Sequence, residues 1–444
     1  MTIKVAAFLF SLVILTNNAS AQKNSLKNVT VTNVDSGWAG NSINTVVFRK
    51  NSLITQGNIQ FISFYNKDGY VMLGKRKSSD KNWELVQTNH KGNIKDAHNN
   101  ISIMIDGAGY LHMAWNHHTT SLNYCISKQP LSLEMSDKIQ MTGLAESSVT
   151  YPEFYKMPDG DLLFFYRDGA SGRGNLIINK YSIKSKQWRQ LHSNLIDGEN
   201  KRNAYWQVCV DNKGIIHISW VWRESSDVSS NHDMCYARST DGGVTWEKST
   251  SEKYSLPITA ATAEYVWKIP QKSELINQTS MCADADGNPY IASYWREEGS
   301  VIPQYHILFN KNNKWHIQNL GFRKTPFSLS GGGTKQIPIS RPQVIVWNEN
   351  GQTAAGLIFR DEERSNKVSI AVNDNVSKSK KWQIFDLTST SVGSWEPTYD
   401  TELWKEKKIL NLFVQKTEQA DAEGISGLPP QMIQVLEWKP GTKN

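Results

Sequence analysis

The chain has 444 residues, 39% hydrophobic, 10% aromatic and 20% charged, with a formal net charge of +7. That balance excludes an intrinsically disordered or collagen-like chain. No block of Lys or Arg marks a nucleic-acid surface, whereas the mild basic excess suits an anionic partner such as an acidic or sulfated polysaccharide.

The N-terminus reads as a secretory signal over residues 1–21. Lys4 supplies the positive start, Val5 to Leu15 the apolar stretch, and Ala19-Ser20-Ala21 the small-residue cleavage motif. The apolar stretch is too short to span a bilayer, and no later segment reads as a membrane span. No cysteine follows the cleavage motif, which argues against a bacterial-type lipid anchor. The mature chain is expected to be secreted or periplasmic and monomeric, with residues 22–444 forming one domain.

Strand-like apolar runs with turn punctuation then recur to the end, and long helix-period segments are absent. One pattern repeats seven times: apolar strand, Asp/Asn-Gly turn, second apolar strand ending in an aromatic and a polar residue, third strand. The second strands read as Ile59 to Tyr65, Tyr110 to Trp115, Leu162 to Tyr166, Ile215 to Trp222, Pro289 to Trp295, Thr353 to Phe359 and Ile409 to Val414. Trp83, Trp188, Trp246, Trp315, Trp382 and Trp438 close most units. The long interval from Trp83 to Trp188 holds one unit whose closing tryptophan is missing. Ser239-Thr240-Asp241-Gly242-Gly243-Val244-Thr245-Trp246 is an Asp-box, a hairpin motif of propeller blades whose glycines supply the positive φ of a tight turn. The expected fold is all-β: a seven-bladed propeller, its ring closed by a strand near Asn28 to Val34 pairing with the last blade.

In such a ring, residues before each first strand and after each second strand gather at one mouth of the central channel. The strand starts carry His98, Tyr151, Tyr205, Gln278 and Arg341. The strand ends carry Asn66, Asn116, His117, His118, Arg167, Arg223, Arg296, Arg360 and Gln415. Arginine suits a carboxylate or sulfate through paired charge-assisted hydrogen bonds, and histidine and tyrosine exchange protons. Together they fit β-elimination on a uronic acid: a base removes the C5 proton, an arginine offsets charge on the carboxylate, and an acid protonates the departing O4. Duller roles compete. His98 can cap a loop, His117-His118 can be a solvated pair, and Tyr151 can be core. Arg167, Arg223, Arg296 and Arg360 can be salt-bridged to Asp168, Glu224, Glu297 and Asp361. His112 and His217 alternate with apolar residues and read as satisfied core histidines. Cys125, Cys209, Cys235 and Cys282 lack paired spacing and read as buried free thiols, with one disulfide as the alternative; His232-x-x-Cys235 alone is a weak metal signal.

On the run Asp96-Ala97-His98-Asn99, His118 twenty residues later, Thr150-Tyr151-Pro152, Tyr166-Arg167-Asp168-Gly169 and Ala204-Tyr205-Trp206, the chain resembles the BNR-repeat seven-bladed propellers that include the ulvan lyases. The resemblance spans nearly the whole mature chain. It implies that His98, His118 and Tyr151 transfer protons, that Arg167 neutralises the uronate, and that Tyr205 lines the site; Asn99, His117, Arg223 and Arg296, from the same rim, are expected to bind substrate with Tyr205. It leaves open which of the three is base and which acid. It implies a carbon–oxygen lyase acting on ulvan-like polysaccharide or its oligosaccharides, either cutting the glycosidic bond or dehydrating a terminal uronate. No cofactor is required by it; the wider group binds structural zinc in places, and no ligand set for one is assignable here. A related rhamnose-releasing hydrolase branch carries a histidine on the opposite face; this chain has Lys50 in Phe48-Arg49-Lys50-Asn51 instead. A sialidase-type hydrolase, needing an arginine triad and a tyrosine–glutamate nucleophile, and a non-catalytic sugar-binding propeller are the alternatives.

Overall fold

The computed structural model describes residues 29–441, so the signal segment 1–21 lies outside the described residues. Seven antiparallel sheets follow one another along the chain. In the first, Leu53–Gln56, Ile59–Tyr65, Tyr70–Lys77 and Glu84–Lys91 run from inner to outer strand. The fourth, fifth and sixth repeat this order. The second has three strands, Ile101–Ile105, Leu111–Trp115 and Tyr124–Ile126, and is the unit without a closing tryptophan. The expected second strands agree with the observed ones to within two residues at either end.

The middle strands explain why the sheets stack as blades. Leu162–Asp168 is apolar at five consecutive positions and buried on both faces; Leu111–Trp115 is buried on both faces too, with His112 its one polar residue. A strand sandwiched between neighbouring blades has no wet face, so its sequence does not alternate. An outer strand such as Glu84–Lys91 does alternate in exposure. Turns repeat as well. Asp106, Asp211 and Asp284 each accept two backbone N–H groups of the turn they open, at 2.8–3.0 Å, with glycine at φ +82° to +91° inside it. Asp106 and Asp211 also reach His112 and His217, whose other ring nitrogens meet the Tyr124 and Tyr236 hydroxyls at 2.7 Å. Both histidines are satisfied core groups.

In the Asp-box, Asp241 accepts from the Ser239 hydroxyl, the Val244 and Thr245 amides and the Thr245 hydroxyl. Trp246 is buried and donates to the Gly243 carbonyl at 3.2 Å. The four cysteines are free thiols, three of them buried.

The ring closes as expected. Thr30–Gly37 pairs antiparallel with Gln431–Trp438, which pairs with Leu410–Gln415. The N-terminal strand is thus the outer strand of the last blade. At the inner edge, buried Asp400 caps the helix Thr401–Lys407 through the Leu403 amide. It also accepts from the Thr55 amide and hydroxyl and from Gln60, both in the first blade. Burial raises its carboxyl to about 6 although these donors pull it down. A carboxyl raised in the folded state adds stability below its unfolded value near 4, and that increment is lost as pH rises through 6. Asp400→Ala is therefore expected to cost roughly 3 kcal/mol near pH 4, by orphaning buried donors, and less at pH 7. Urea unfolding at both values checks it; a cost that grows with pH would contradict the assignment.

Candidate active site

Inner strands converge on the axis, and at the mouth where they start lies a cavity of about 170 Å³. Phe48, His98, His118, Tyr151, Arg167 and Tyr205 line it, with Arg223, Gln278 and Arg341 among the others. Of the residues expected to act in proton transfer or charge neutralisation, all four are thus on one cavity.

The two histidines arrive by different routes. Asp96 opens the loop before the second blade, its Oδ1 accepting the His98 amide at 2.9 Å, which folds His98 back over it. The same oxygen meets His98 Nδ1 at 3.0 Å. His118 lies on His118–Thr120, a short strand that leaves the second blade and pairs with the inner strand of the third, opposite Thr150. That crossover sets His118 next to Tyr151. Asp96 Oδ2 holds its Nδ1 at 2.6 Å. The imidazoles stack at 4.1 Å, with Phe48 on the other side of His98 at 5.1 Å. One carboxylate therefore orients both rings and leaves each Nε2 free of a protein partner. Burial works against charge on Asp96, but the bonds from His118 and His98 outweigh it and hold the carboxyl well below its ordinary value. Burial likewise disfavours the His98 cation, and the bonds from Asp96 and Glu423 overcome it and raise His98.

Tyr151 and Gln278 begin inner strands in the left-handed region, at φ +58° and +53°. Neither residue type favours it, and such backbone strain gathers at functional positions. The Tyr151 ring lies 5.9 Å from His98 and under the Arg167 guanidinium at 5.0 Å. Burial, then the field of Tyr205, pushes its phenol up to about 12. Burial also opposes ionisation of Tyr205, but Arg167, Arg223 and the Ser171 hydroxyl at 3.0 Å bring that phenol below its ordinary value. The two phenols are thus driven apart.

Three arginines reach the cavity, and two are engaged. Arg341 makes a buried two-point bridge to Glu396, and Arg223 donates to the Ser225 and Ser226 carbonyls. Arg167 has no hydrogen-bond partner among the described residues, and its Nε is buried without one. None of Arg167, Arg223, Arg296 and Arg360 bonds to the acid that follows it, contrary to expectation. Adjacent strand residues point to opposite faces. Asp361 pairs with Arg323, Glu224 with Arg202 and His232, and Glu297 with His306.

Three expected substrate contacts lie elsewhere. His117 faces away from His118, fully buried, with Nε2 accepting from the Asn123 amide at 3.1 Å; burial lowers it to about 3. Asn99 turns inward and donates to the Asn93 carbonyl. Arg296 is held by Glu274 at 2.7 Å and by the Lys272 and Ser300 carbonyls. Asn66, Asn116, Arg360 and Gln415 also lie off the cavity wall, bonded to backbone or neighbouring side chains. Two groups were missed as site residues. Asp96 is signalled locally, two residues before His98. Glu423, whose Oε1 meets His98 Nδ1 at 3.1 Å, has no local signal.

The hydrolase features fall on the other mouth. Lys50 lines a separate cavity of about 200 Å³ there, its Nζ donating to the Thr279 carbonyl. Tyr155 bonds Glu153 at 2.6 Å and lines the same second cavity, not the one that Arg167, Arg223 and Arg341 reach. A structural zinc fits poorly. Among the described residues Asp96, His98 and His118 bring possible donors together, but Asp96 sits 2.6 and 3.0 Å from the two nitrogens. Ligands of tetrahedral zinc at bonds near 2.0–2.1 Å stand about 3.3 Å apart.

Comparison with known proteins agrees with this architecture. The family model for BNR repeat-containing proteins matches residues 59–323. The chain belongs to that family, the seven-bladed propellers that include ulvan lyases. An ulvan lyase of Nonlabens ulvanivorans is 24% identical over 233 residues, 44% of this chain and 48% of that protein. The short-isoform ulvan lyase of Alteromonas sp. (strain LOR) is 38% identical over 60 residues, 13% of this chain and 11% of that one. The match therefore spans about half of the first relative and a small part of the second. Among solved structures, the polysaccharide lyase Uly1 superposes with a TM-score of 0.65 at 15% identity, over 88% of this chain and 90% of that one. The PL25 ulvan lyase does so with 0.57 at 14%, over 82% and 97%. These likenesses bear on the fold.

Strain at the cavity floor has a measurable consequence. Gln278 is buried, and neither atom of its carboxamide has a partner. Gln278→Gly is expected to raise stability by about 1 kcal/mol in urea unfolding, because glycine adopts this φ freely. A loss of stability would show that the carboxamide is satisfied in solution.

Proposed function

We propose that the protein is a carbon–oxygen lyase that performs β-elimination on a uronic acid of an anionic, ulvan-like polysaccharide or its oligosaccharides. One observation carries the reading: two imidazoles oriented by a shared carboxylate face the same cavity as a tyrosine and an uncommitted arginine. Elimination needs a base at C5, charge compensation at the carboxylate and a proton for O4. Arg167 is suited to the uronate carboxylate because no described residue accepts a hydrogen bond from it. His98, His118 and Tyr151 are the groups for the two proton transfers. The curated relatives named ulvan lyases support the substrate class.

The same proton chemistry serves two leaving groups. If O4 carries a sugar, the chain is cut; if O4 is a hydroxyl, water departs. The cavity of about 170 Å³ is on the scale of one sugar ring, and it is walled on one side by the loop Gly332 to Lys335, against which Ala422 packs. This favours a terminal uronate within the elimination reading.

Incubation with ulvan oligosaccharides is expected to raise ultraviolet absorbance through a C4–C5 double bond. Mass spectrometry then separates the outcomes: loss of one water means dehydration, and two shorter fragments mean cleavage. Saturated products would sink the elimination reading. His118→Ala is expected to lower turnover by at least ~10²-fold, and Arg167→Ala by about 10²–10³-fold. Arg296→Ala is expected to leave turnover unchanged, since Arg296 is bound to Glu274 away from the cavity.

A further inference from the structure

Glu423 lies on a loop after the second strand of the last blade, outside the span matched by the family model. Its carboxylate reaches the second blade across the channel mouth. Oε2 accepts the Ala97 amide at 3.0 Å. Oε1 accepts the Thr334 amide and hydroxyl at 2.8 and 2.7 Å and meets His98 Nδ1 at 3.1 Å. The backbone here is held in an uncommon conformation, with Ala422 and Glu423 both left-handed at φ +56° and +62°. The loop is anchored independently of that side chain. The Ala422 amide donates to the Thr334 carbonyl, the Gln336 amide to Asp421, and the Ser426 amide to the Gly40 carbonyl. Gly333 permits the close approach, since a Cβ there would stand 3.2 Å from Ala422 Cα.

We propose that Glu423 is a positioning residue for proton donation by His98. With Asp96 it encloses Nδ1 between two carboxylates, keeps the imidazole protonated and directs Nε2 at the bound sugar. Of the two carboxylates His118 contacts Asp96 alone, so the second distinguishes two otherwise similar rings. This rests on the elimination reading and assigns roles within it. His118 takes the C5 proton at Nε2. The electron pair of the C5–H bond becomes the C4–C5 π bond, the C4–O4 bond breaks with its pair on oxygen, and O4 takes a proton from His98. Each turnover leaves His118 protonated and His98 neutral, and solvent exchange restores both.

Several charged or titratable groups face His98. Asp96 is on its own loop and Glu423 on the last blade. His118 is stacked on it, Tyr151 and Tyr205 come from the third and fourth blades, and Arg167 and Arg341 stand behind Tyr151 and Phe48. Among the described residues, Asp96 and Glu423 are the two that contact its Nδ1.

Glu423→Gln keeps the shape and removes the charge. Carbethoxylation of His98 by diethyl pyrocarbonate, followed across pH by peptide mass spectrometry, reads its titration without substrate. The midpoint is expected to fall by roughly one unit in Glu423→Gln and to recover in part in Glu423→Asp. In turnover, kcat is expected to fall about tenfold with KM little changed, and the alkaline limb to move down by the same interval. An unmoved His98 midpoint, or a loss of kcat equal at every pH, would overturn the assignment. Failure of the elimination reading shows separately, as a wild-type protein that forms no unsaturated product while the midpoint still shifts.

Discussion

Closure of the ring is the constraint on which the rest depends. Seven sheets wrapped about an axis leave one seam, and an open seam would expose two strand edges and a dry blade face. Here the seam is sealed twice. At the rim Thr30–Gly37 completes the last blade, and at the axis Asp400 accepts bonds from the first blade. Once the ring is shut, every inner strand must start at the same mouth. His98 of the second blade, Tyr151 of the third, Tyr205 of the fourth and Glu423 of the last then come together without any local propensity asking for it.

What makes that mouth chemically distinct is how charge is distributed over it. Arginine is abundant, yet hydrogen bonds from Arg341 to Glu396 and from Arg223 to backbone carbonyls consume most of it. Arg167 is left with a buried, unpartnered Nε beside a tyrosine face. Carboxylates are directed at the histidines rather than at the arginine. An anion entering the cavity meets a free cation in a partly desolvated place, where such contacts are stronger than in water. The two phenols, one pushed up by burial and the other pulled down by arginines, show how position alone differentiates identical groups.

Identical residue types also divide between core and site. His112 and His217 sit inside strands with an aspartate on one side and a tyrosine on the other, and both are sealed. His117 and His118 are adjacent, yet one is buried against Asn123 and the other faces the cavity: His117 lies in the link after Asn116, at φ +63°, and His118 opens the short strand beyond it.

Repeated strands, the Asp-box and the identity of the ring were legible in the amino-acid order, because each is a short-range pattern of apolar runs, turn residues and spacing. The cluster of His98, His118, Tyr151 and Arg167 could be anticipated as well, since the propeller rule converts strand starts and ends into one rim. Which rim residues turn inward was not legible. Asn99, His117 and Arg296 satisfy the same positional rule and are taken by backbone or ion-pair partners instead. Nor could local pattern find Glu423, which meets Ala97 across a separation of 326 residues. Sequence alone determines local periodicity and turn chemistry; the direction of a side chain and its distant partners are decided only when the ring closes and buried polar groups compete for the bonds within reach.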